Sequence, residues 1–299
     1  MSDLAPVVMF VYDRLEQTKK SIHALQNNYL AKETSLYIYS DGAKNSNSTE
    51  DVMKVREFIN NIIGFKKISI TERANNFGLA DSLIDGITTV VNEYGKLIVL
   101  EDDLITSRYF LNYMNDALNI YEDSLQVGSI SGYAYPLKNM PKSYFINKIE
   151  SWGWGTWKDR WELFEPNGKI LLKELFEKKQ LKRVNFNNSF KYSDMLKQQV
   201  NKENDSWAIR WYISLFLKEN LTLYPGKTFV QNIGFGDDGT HTKVGGEVYH
   251  KGLNNLEEPL EKIEVSECMD SRKKIENFYF SLKLNFLQRI KRKIRNFIR

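Results

Sequence analysis

Glu101, Asp102 and Asp103 follow directly on the apolar run Leu97-Ile98-Val99-Leu100. Three packed carboxylates repel one another unless a divalent cation, a sugar hydroxyl or water offsets the charge, so the triplet is a candidate for metal or hydroxyl binding. An acidic turn facing solvent would use the same residues, since charge runs are mostly solvated. Asp13-Arg14 and Ser40-Asp41-Gly42 also close short apolar runs. A different kind of candidate is Ser151-Trp152-Gly153-Trp154-Gly155-Thr156-Trp157-Lys158-Asp159-Arg160-Trp161, with four tryptophans and two glycines in eleven residues. Tryptophan faces stack on sugar rings or nucleobases and glycine admits close backbone approach, so this stretch predicts a binding wall; an unusually aromatic core segment is the alternative. Asp205, just ahead of Ser206-Trp207, has the residue type of a helix cap. His241 lies in the glycine-rich polar loop from Gln231 to Thr242, where a metal or phosphate role stands beside a bland one, whereas His23 and His250 read as surface or core residues.

The elements that must position these residues alternate along the first 130 positions. Val7 to Tyr12 reads as a buried strand and Leu15 to Asn27 as an amphipathic helix. Leu36 to Tyr39 is a second strand, followed by a polar loop over 43–50 and a helix from Asp51 to Ile63. Lys67 to Thr71 alternates as a strand, Leu79 to Glu93 has helical spacing, and the strand that carries the acidic triplet comes next. A helix from Tyr109 to Tyr121 and a strand near Val127 to Gly132 complete the series. This order predicts an α/β fold with a mainly parallel, Rossmann-like sheet covered by helices, and ligands bound outside the carboxyl ends of its strands. Asp13, Asp41 and the triplet all fall at such ends. Beyond residue 133 the alternation dissolves: residues 169–183 read as a solvated Lys- and Glu-rich helix, 185–204 as polar and helix-like, Asp205 to Leu217 as an apolar helix, and Leu221 to Val230 as extended.

A chain of 299 residues, 42% hydrophobic, can bury a sizeable core. No run of eighteen or more apolar residues occurs and the first six residues do not resemble a secretory leader, so neither a membrane span nor export is expected. With Cys268 as the only cysteine, a disulfide framework and a cysteine zinc site are excluded, and a reducing cytosol is the natural compartment. The net charge is +4, yet residues 289–299 carry six Lys or Arg and no acid, which leaves the rest slightly acidic. That distribution argues against a nucleic-acid-binding face and for a tail with its own electrostatic task. At about 100° per residue, Phe286, Leu287, Ile290, Ile294, Phe297 and Ile298 share an arc of about 120°, with the basic residues around the remainder. Residues 283–299 therefore read as a basic amphipathic helix suited to an anionic membrane surface; a protein-docking helix and a solvated terminal helix are the alternatives.

Taken in order, Asp13-Arg14, Ser40-Asp41, Leu100-Glu101-Asp102-Asp103, the Trp-Gly-Trp-Gly-Thr-Trp stretch, Asp205-Ser206-Trp207 and Phe235-Gly236-Asp237-Asp238-Gly239-Thr240-His241 resemble the GT-A-fold nucleotide-sugar glycosyltransferases. The group containing N-acetylglucosaminyltransferase I and bacterial polysaccharide glycosyltransferases is the most similar, over about residues 7 to 245. The resemblance implies that Asp103 binds Mn2+ or Mg2+, with His241 closing over the metal or diphosphate. It implies that Glu101 and Asp102 assist through water or the ribose, that Asp41 meets a uracil edge, and that Asp13, Arg14 and Arg73 hold the nucleotide. Asp205 matches the catalytic base of inverting members, and Trp152, Trp154, Gly155 and Thr156 would line the sugar site.

The expected protein is a metal-dependent inverting glycosyltransferase that takes a nucleotide sugar, UDP-linked, and extends a lipid-linked glycan from the inner face of the cell membrane, in bacterial surface polysaccharide synthesis. Its donor half would span 1–132 and its acceptor and catalytic-base half 133–250, with a connecting segment at 251–282 and the basic helix at 283–299. A sugar-phosphate nucleotidyltransferase is the alternative enzyme, although the lysine- and glycine-rich phosphate loop of such enzymes is missing after Val11. A non-catalytic glycan-binding or membrane scaffold protein is the alternative from another class.

Overall fold

The computed structural model describes residues 4–234, 246–249, 252–257 and 259–297, with side chains as far as residue 283 in the last of these. In the first part, strands and helices alternate as the periodicity predicts: β1 (Val7–Val11), α1 (Leu15–Gln26), β2 (Ser35–Ser40), α2 (Ser46–Ile59), β3 (Lys67–Glu72), α3 (Leu79–Tyr94), β4 (Lys96–Glu101), β5 (Leu104–Thr106), α4 (Phe110–Ile120) and β6 (Val127–Ser131). All five residues of β1 are buried, as a strand covered on both faces requires. Helix α2 starts earlier than its apolar spacing suggests, because Asn45 and Ser48 form a reciprocal capping box inside the polar loop.

The second part extends the same sheet. It contains β7 (Ser143–Ile146), β8 (Trp154–Trp157), α5 (Lys158–Trp161), α6 (Gly168–Glu177), α7 (Leu181–Val184), α8 (Tyr192–Val200), α9 (Trp207–Leu217), β9 (Leu221–Pro225), β10 (Val230–Asn232) and α10 (Met269–Phe297). The helix expected over 169–183 is broken at Lys179, whose φ of 55° is incompatible with a continuing right-handed helix. The eight-stranded sheet runs in the order β3-β2-β1-β4-β8-β6-β9-β7. Strands β3, β2, β1 and β4 are mutually parallel, β8 lies antiparallel between β4 and β6, β9 is parallel to β6, and β7 closes the edge antiparallel to β9. This is a Rossmann-like, mostly parallel α/β sheet. Strands β5 and β10 form a separate antiparallel pair beside the end of β4.

Side-chain alternation along β8 shows how both faces of the sheet are covered. Gly155 and Trp157 face α4: a Cβ on Gly155 would touch Met114 and Leu118, and Trp157 Nε1 donates to the Leu118 carbonyl at 3.1 Å. Trp154 faces the other way, stacked on Trp207 of α9 with ring centres 5.5 Å apart. The terminal helix begins at Met269, well before residue 283, and its first turns belong to the body. Ile275 and Tyr279 are buried in the core, and Arg272 bonds Glu267 at 2.8 Å and the Arg183 carbonyl at 2.6 Å. The stretch expected to be only a connector thus includes a packed helical segment.

Candidate functional site

The acidic triplet stands at the carboxyl end of β4, where ligands of parallel α/β sheets bind. Arg14, at the turn between β1 and α1, is ion-paired to Asp102 and reaches Asp103 Oδ2 at 3.1 Å. Asp102 is 4% exposed at its side chain, and Ser21 Oγ donates to its backbone carbonyl at 2.8 Å, which anchors the turn from α1. One guanidinium faces three carboxylates, and the imbalance is felt by the acids. Burial, then Asp103 and Asp102, push Glu101 up to about 8 against the pull of Arg14. Burial pushes Asp102 up to about 6 although Arg14 favours its charged form. Burial alone would lower Arg14, but Asp102 and Asp103 hold the guanidinium firmly charged. Asp13, beside it, is raised by burial.

Asp103 is also approached from the far end of the domain. Strand β10 pairs with β5, the Ile233 N–H donates to the Asp103 carbonyl at 2.8 Å, and a Cβ on Gly234 would overlap the Asp103 carboxylate. Glycine is required there by close approach. His241 and the rest of the Phe235 to His241 motif lie outside the described residues.

Two residues assigned to the nucleotide are instead engaged by the protein, Asp41 completely and Arg73 through Nε and Nη2. Asp41, buried at the end of β2, accepts from the Gly42 and Phe77 N–H groups at 2.9 Å each through Oδ1. Its Oδ2 accepts from the Gly78 N–H at 2.9 Å and Asn76 Nδ2 at 3.1 Å. Four donors saturate a carboxylate, so no lone pair remains for a uracil edge. The expected base contact at Asp41 is corrected to a role in shaping the 76–78 loop. Arg73 likewise spends its guanidinium on Ser82 Oγ and carbonyl oxygen and on Asp85 Oδ2, the last at 2.7 Å, and is buried. What it offers outward is the Phe77 ring, which lies 4.1 Å over the guanidinium and is 47% exposed.

The tryptophan segment divides at Gly153. Trp154, Gly155 and Thr156 form β8 in the middle of the sheet, fully buried, and the Thr156 hydroxyl donates to the Gly128 carbonyl at 2.8 Å. Trp154, Trp161, Trp207 and Trp211 pack together, with Trp161 and Trp211 centres 5.0 Å apart. These residues join β8 to α5 and α9 and present no ring to a ligand, which corrects the expected binding wall. Trp152 alone remains at a cavity, edge-on to Tyr133 at 4.8 Å and to Tyr249 at 6.0 Å.

That cavity, about 450 Å³, lies among the segment after β6, the residues before β8, and helices α8, α9 and α10. Ser206, which lines it, is the true cap of α9, accepting from the Ile209 N–H at 3.3 Å. Asp205 stands one residue outside the helix, 67% exposed, and is bonded to Arg210 Nη2 at 3.1 Å. The capping function goes to Ser206, and the Asp205 carboxylate is left exposed beside Arg210. Residues not singled out from sequence also converge here: Lys148, Glu150, Tyr135, Tyr192 and Tyr279. Their spacing has no period, and only the Lys-Ile-Glu run just before Trp152 hinted at a polar group. A hollow of about 500 Å³ near Leu125, Leu163 and Leu221 lies at the opposite end of β6 and β9, away from these groups.

Among the described residues no three His, Cys, Asp or Glu side chains are arranged to enclose a metal ion. The donor set at Asp103 fits a different mode. A surplus of hard carboxylate oxygens suits a magnesium-like cation that takes one or two protein ligands and completes its shell with water and phosphate oxygens.

No family model and no curated protein matches the chain. Among solved structures it is similar to a mannosyltransferase from Pyrobaculum calidifontis in complex with GDP-Man and Mn2+, at 10% identity and a TM-score of 0.35, over 73% of this chain and 72% of that one. TarS of S. aureus matches at 11% identity and a TM-score of 0.31, over 48% of this chain and 25% of that one. A UDP-glucose pyrophosphorylase complexed with UDP-glucose matches at 12% identity and a TM-score of 0.32, over 56% and 82%. Likenesses this distant carry no part of the functional argument, and they lend no support to the finer resemblance to N-acetylglucosaminyltransferase I.

Proposed function

We propose that the protein is an inverting glycosyltransferase of the GT-A type that moves a sugar from a UDP-linked donor to a glycan acceptor, with Mn2+ or Mg2+ at Asp103. The observation that carries this reading is the charge-surplus triplet at the end of β4, opposed by Arg14 alone. Asp103 would hold the metal, and Glu101 and Asp102 would act through water or the ribose. When bound, a divalent cation supplies neutralisation of the charge that builds on the leaving diphosphate. Arg14 fixes the orientation of Asp102 and Asp103 and adds positive charge beside the diphosphate. With Asp41 saturated and Arg73 inward, the exposed Phe77 ring is the surface on which the base would stack, held by Arg73 beneath it.

Asp205, exposed and next in sequence to Ser206 of the aromatic cavity, is the candidate base that takes the acceptor hydroxyl proton as that oxygen attacks the anomeric carbon. The short β1–α1 turn, Tyr12-Asp13-Arg14, has no glycine-rich phosphate loop and so disfavours the nucleotidyltransferase alternative. No described helix is long and apolar enough to cross a membrane. The basic amphipathic pattern of 283–299 supports docking on an anionic membrane, and with it a lipid-linked acceptor.

The test is a screen of nucleotide sugars for Mn2+-dependent hydrolysis and transfer, with Asp103→Asn alongside. Metal-dependent turnover of a UDP-sugar that Asp103→Asn abolishes is expected. Absence of turnover for every donor, or full activity in Asp103→Asn, would overturn the reading.

A further inference from the structure

The aromatic cavity is not needed to hold a donor at the triplet, yet Trp152, which lines it, comes two residues before the strand that pairs with β4. Strands β4 and β8 pair antiparallel as far as Val99 opposite Trp154, so Glu101 and Trp152 each lie two residues beyond the last paired position at the same end of the two strands, with Gly153 (φ 61°) turning the chain between. The Gly132 N–H bonds the Gly153 carbonyl at 2.7 Å and keeps that turn against the end of β6. Its volume of about 450 Å³ falls in the usual range for small-ligand sites, about 300–1,000 Å³.

We propose that this cavity is the acceptor subsite and that it takes an uncharged pyranose ring, held between the Tyr133, Trp152 and Tyr249 rings and the Lys148–Glu150 pair. The assignment rests on the transfer reaction proposed above. The pair supplies the hydroxyl recognition. Lys148 Nζ bonds Glu150 Oε2 at 2.9 Å, and the two side chains are only 6% and 15% exposed. Tyr135 adds a second donor to Oε2 at 3.3 Å, whereas Glu150 Oε1 meets no protein donor among the described residues. A carboxylate oxygen in that state, on a side chain mostly withdrawn from solvent, accepts a ligand hydroxyl.

Behind the pair a relay of phenols runs from Tyr135 to Tyr279 at 2.7 Å and from Tyr279 to Tyr192 at 2.8 Å. Hydroxyls both donate and accept, which matches the alternating needs of a sugar's own hydroxyls. Lys148 and Glu150 cancel in charge, so the cavity holds no surplus cation for a phosphate, and Glu150 would repel one. Rings set edge-to-face around Trp152 leave an apolar wall for the C–H face of a pyranose.

Saturation-transfer NMR on the full chain tests the assignment, without nucleotide or metal, using methyl glycosides of neutral hexoses and N-acetylhexosamines as probes. At least one glycoside should bind, and the paired variant Lys148→Met/Glu150→Gln should weaken it tenfold or more. Removing both charges together leaves no buried ion unpaired. Tyr192→Phe, which keeps the ring and removes one hydroxyl, should weaken binding several-fold and serves in place of the paired variant if that one does not fold. Metal-dependent donor hydrolysis should keep its donor KM in both. No glycoside binding, or binding indifferent to the variants, would overturn the subsite. Glycoside binding with no donor turnover would support the subsite and overturn the transfer reaction, whereas turnover with unaffected glycoside binding would overturn the subsite alone.

Discussion

Between pH 6 and 8 the metal-free chain should lose stability as the solution becomes more alkaline, and Glu101 should account for most of the loss. Its carboxyl is pushed from 4.5 to about 8 in the folded protein, chiefly by burial and then by Asp103 and Asp102. Over that interval the folded state keeps a proton that the unfolded chain has released. Stability is therefore greatest below the unfolded value and falls as pH rises towards the folded one. Asp102, raised from 3.8 to about 6, adds a similar fall at lower pH, is half ionised at pH 6 and contributes little above pH 7. The slope above pH 7 is then mainly that of one proton, at most about 1.4 kcal/mol per pH unit, and Glu101 alone contributes about 2 kcal/mol between pH 6 and 8 once the rounding near its folded value is included. For a chain of this size that is a melting-temperature decrease of about 4 °C.

Thermal melts from pH 5 to 8.5, on the intact chain and on Glu101→Gln, measure the effect. Glutamine keeps the shape of the side chain and carries no charge, so the variant should be the more stable protein at pH 8 and should lose most of the slope above pH 6 and nearly all of it above pH 7. Subtracting the two curves removes the titrating groups that do not interact with Glu101. Adding Mn2+ should raise the melting temperature of the intact chain more at pH 8 than at pH 5, because the cation offsets carboxylates only when they are ionised. A flat profile between pH 6 and 8, or a slope above pH 7 that survives undiminished in Glu101→Gln, would refute the argument that the triplet carries excess charge.

Three further outcomes follow from the site. Asp205→Asn should leave UDP binding intact and lower transfer by about 10²–10⁴ in a coupled sugar-transfer assay, the usual worth of a general base. An unchanged rate would reduce Asp205 to an exposed partner of Arg210. Gly234→Ala should fold, with an apo melting temperature within a few degrees of the parent, but lose the Mn2+-induced increase, because the new methyl group would overlap the Asp103 carboxylate; an unaltered metal response would remove Asp103 from the metal site. Removing residues 283–299 should release the protein from anionic liposomes in a sedimentation assay without unfolding it, since Ile275 and Tyr279, which anchor α10, remain. Undiminished sedimentation would sink the membrane assignment.

The parts of this fold that depend on local pattern were legible before any coordinates. Strand β1 and helices α1, α3 and α4 have the apolar spacing their burial demands, and the triplet's place at the end of a central strand follows from the run that precedes it. Strand β8 was not legible, because its four residues, Trp-Gly-Thr-Trp, carry rings and a glycine whose meaning depends on what lies across the sheet. Gly155 is small because α4 presses Met114 and Leu118 against it, and Trp154 is large because its ring packs on Trp207 and Trp211 of α9 across the other face. A ring that packs against another ring and one that awaits a sugar have the same residue type. Only burial separates Trp154 from Trp152.

Asp41 and Glu150 pose the same problem for charge. Both are acids near the mouth of a parallel sheet, and sequence favoured the first because it closes a strand. The fold reverses them: four protein donors consume every lone pair of Asp41, whereas Glu150 keeps an oxygen that no protein donor among the described residues meets, inside a cavity. A carboxylate is available to a ligand in proportion to the acceptor capacity its own chain leaves unused. That quantity is set by loops 76–78 and 148–152 through their backbone path, which no hydrophobic period encodes. The same reasoning keeps Asp103 at the centre of the site. Its described protein donor to the carboxylate is Arg14, at 3.1 Å, and a glycine is required at 234 so that nothing crowds it.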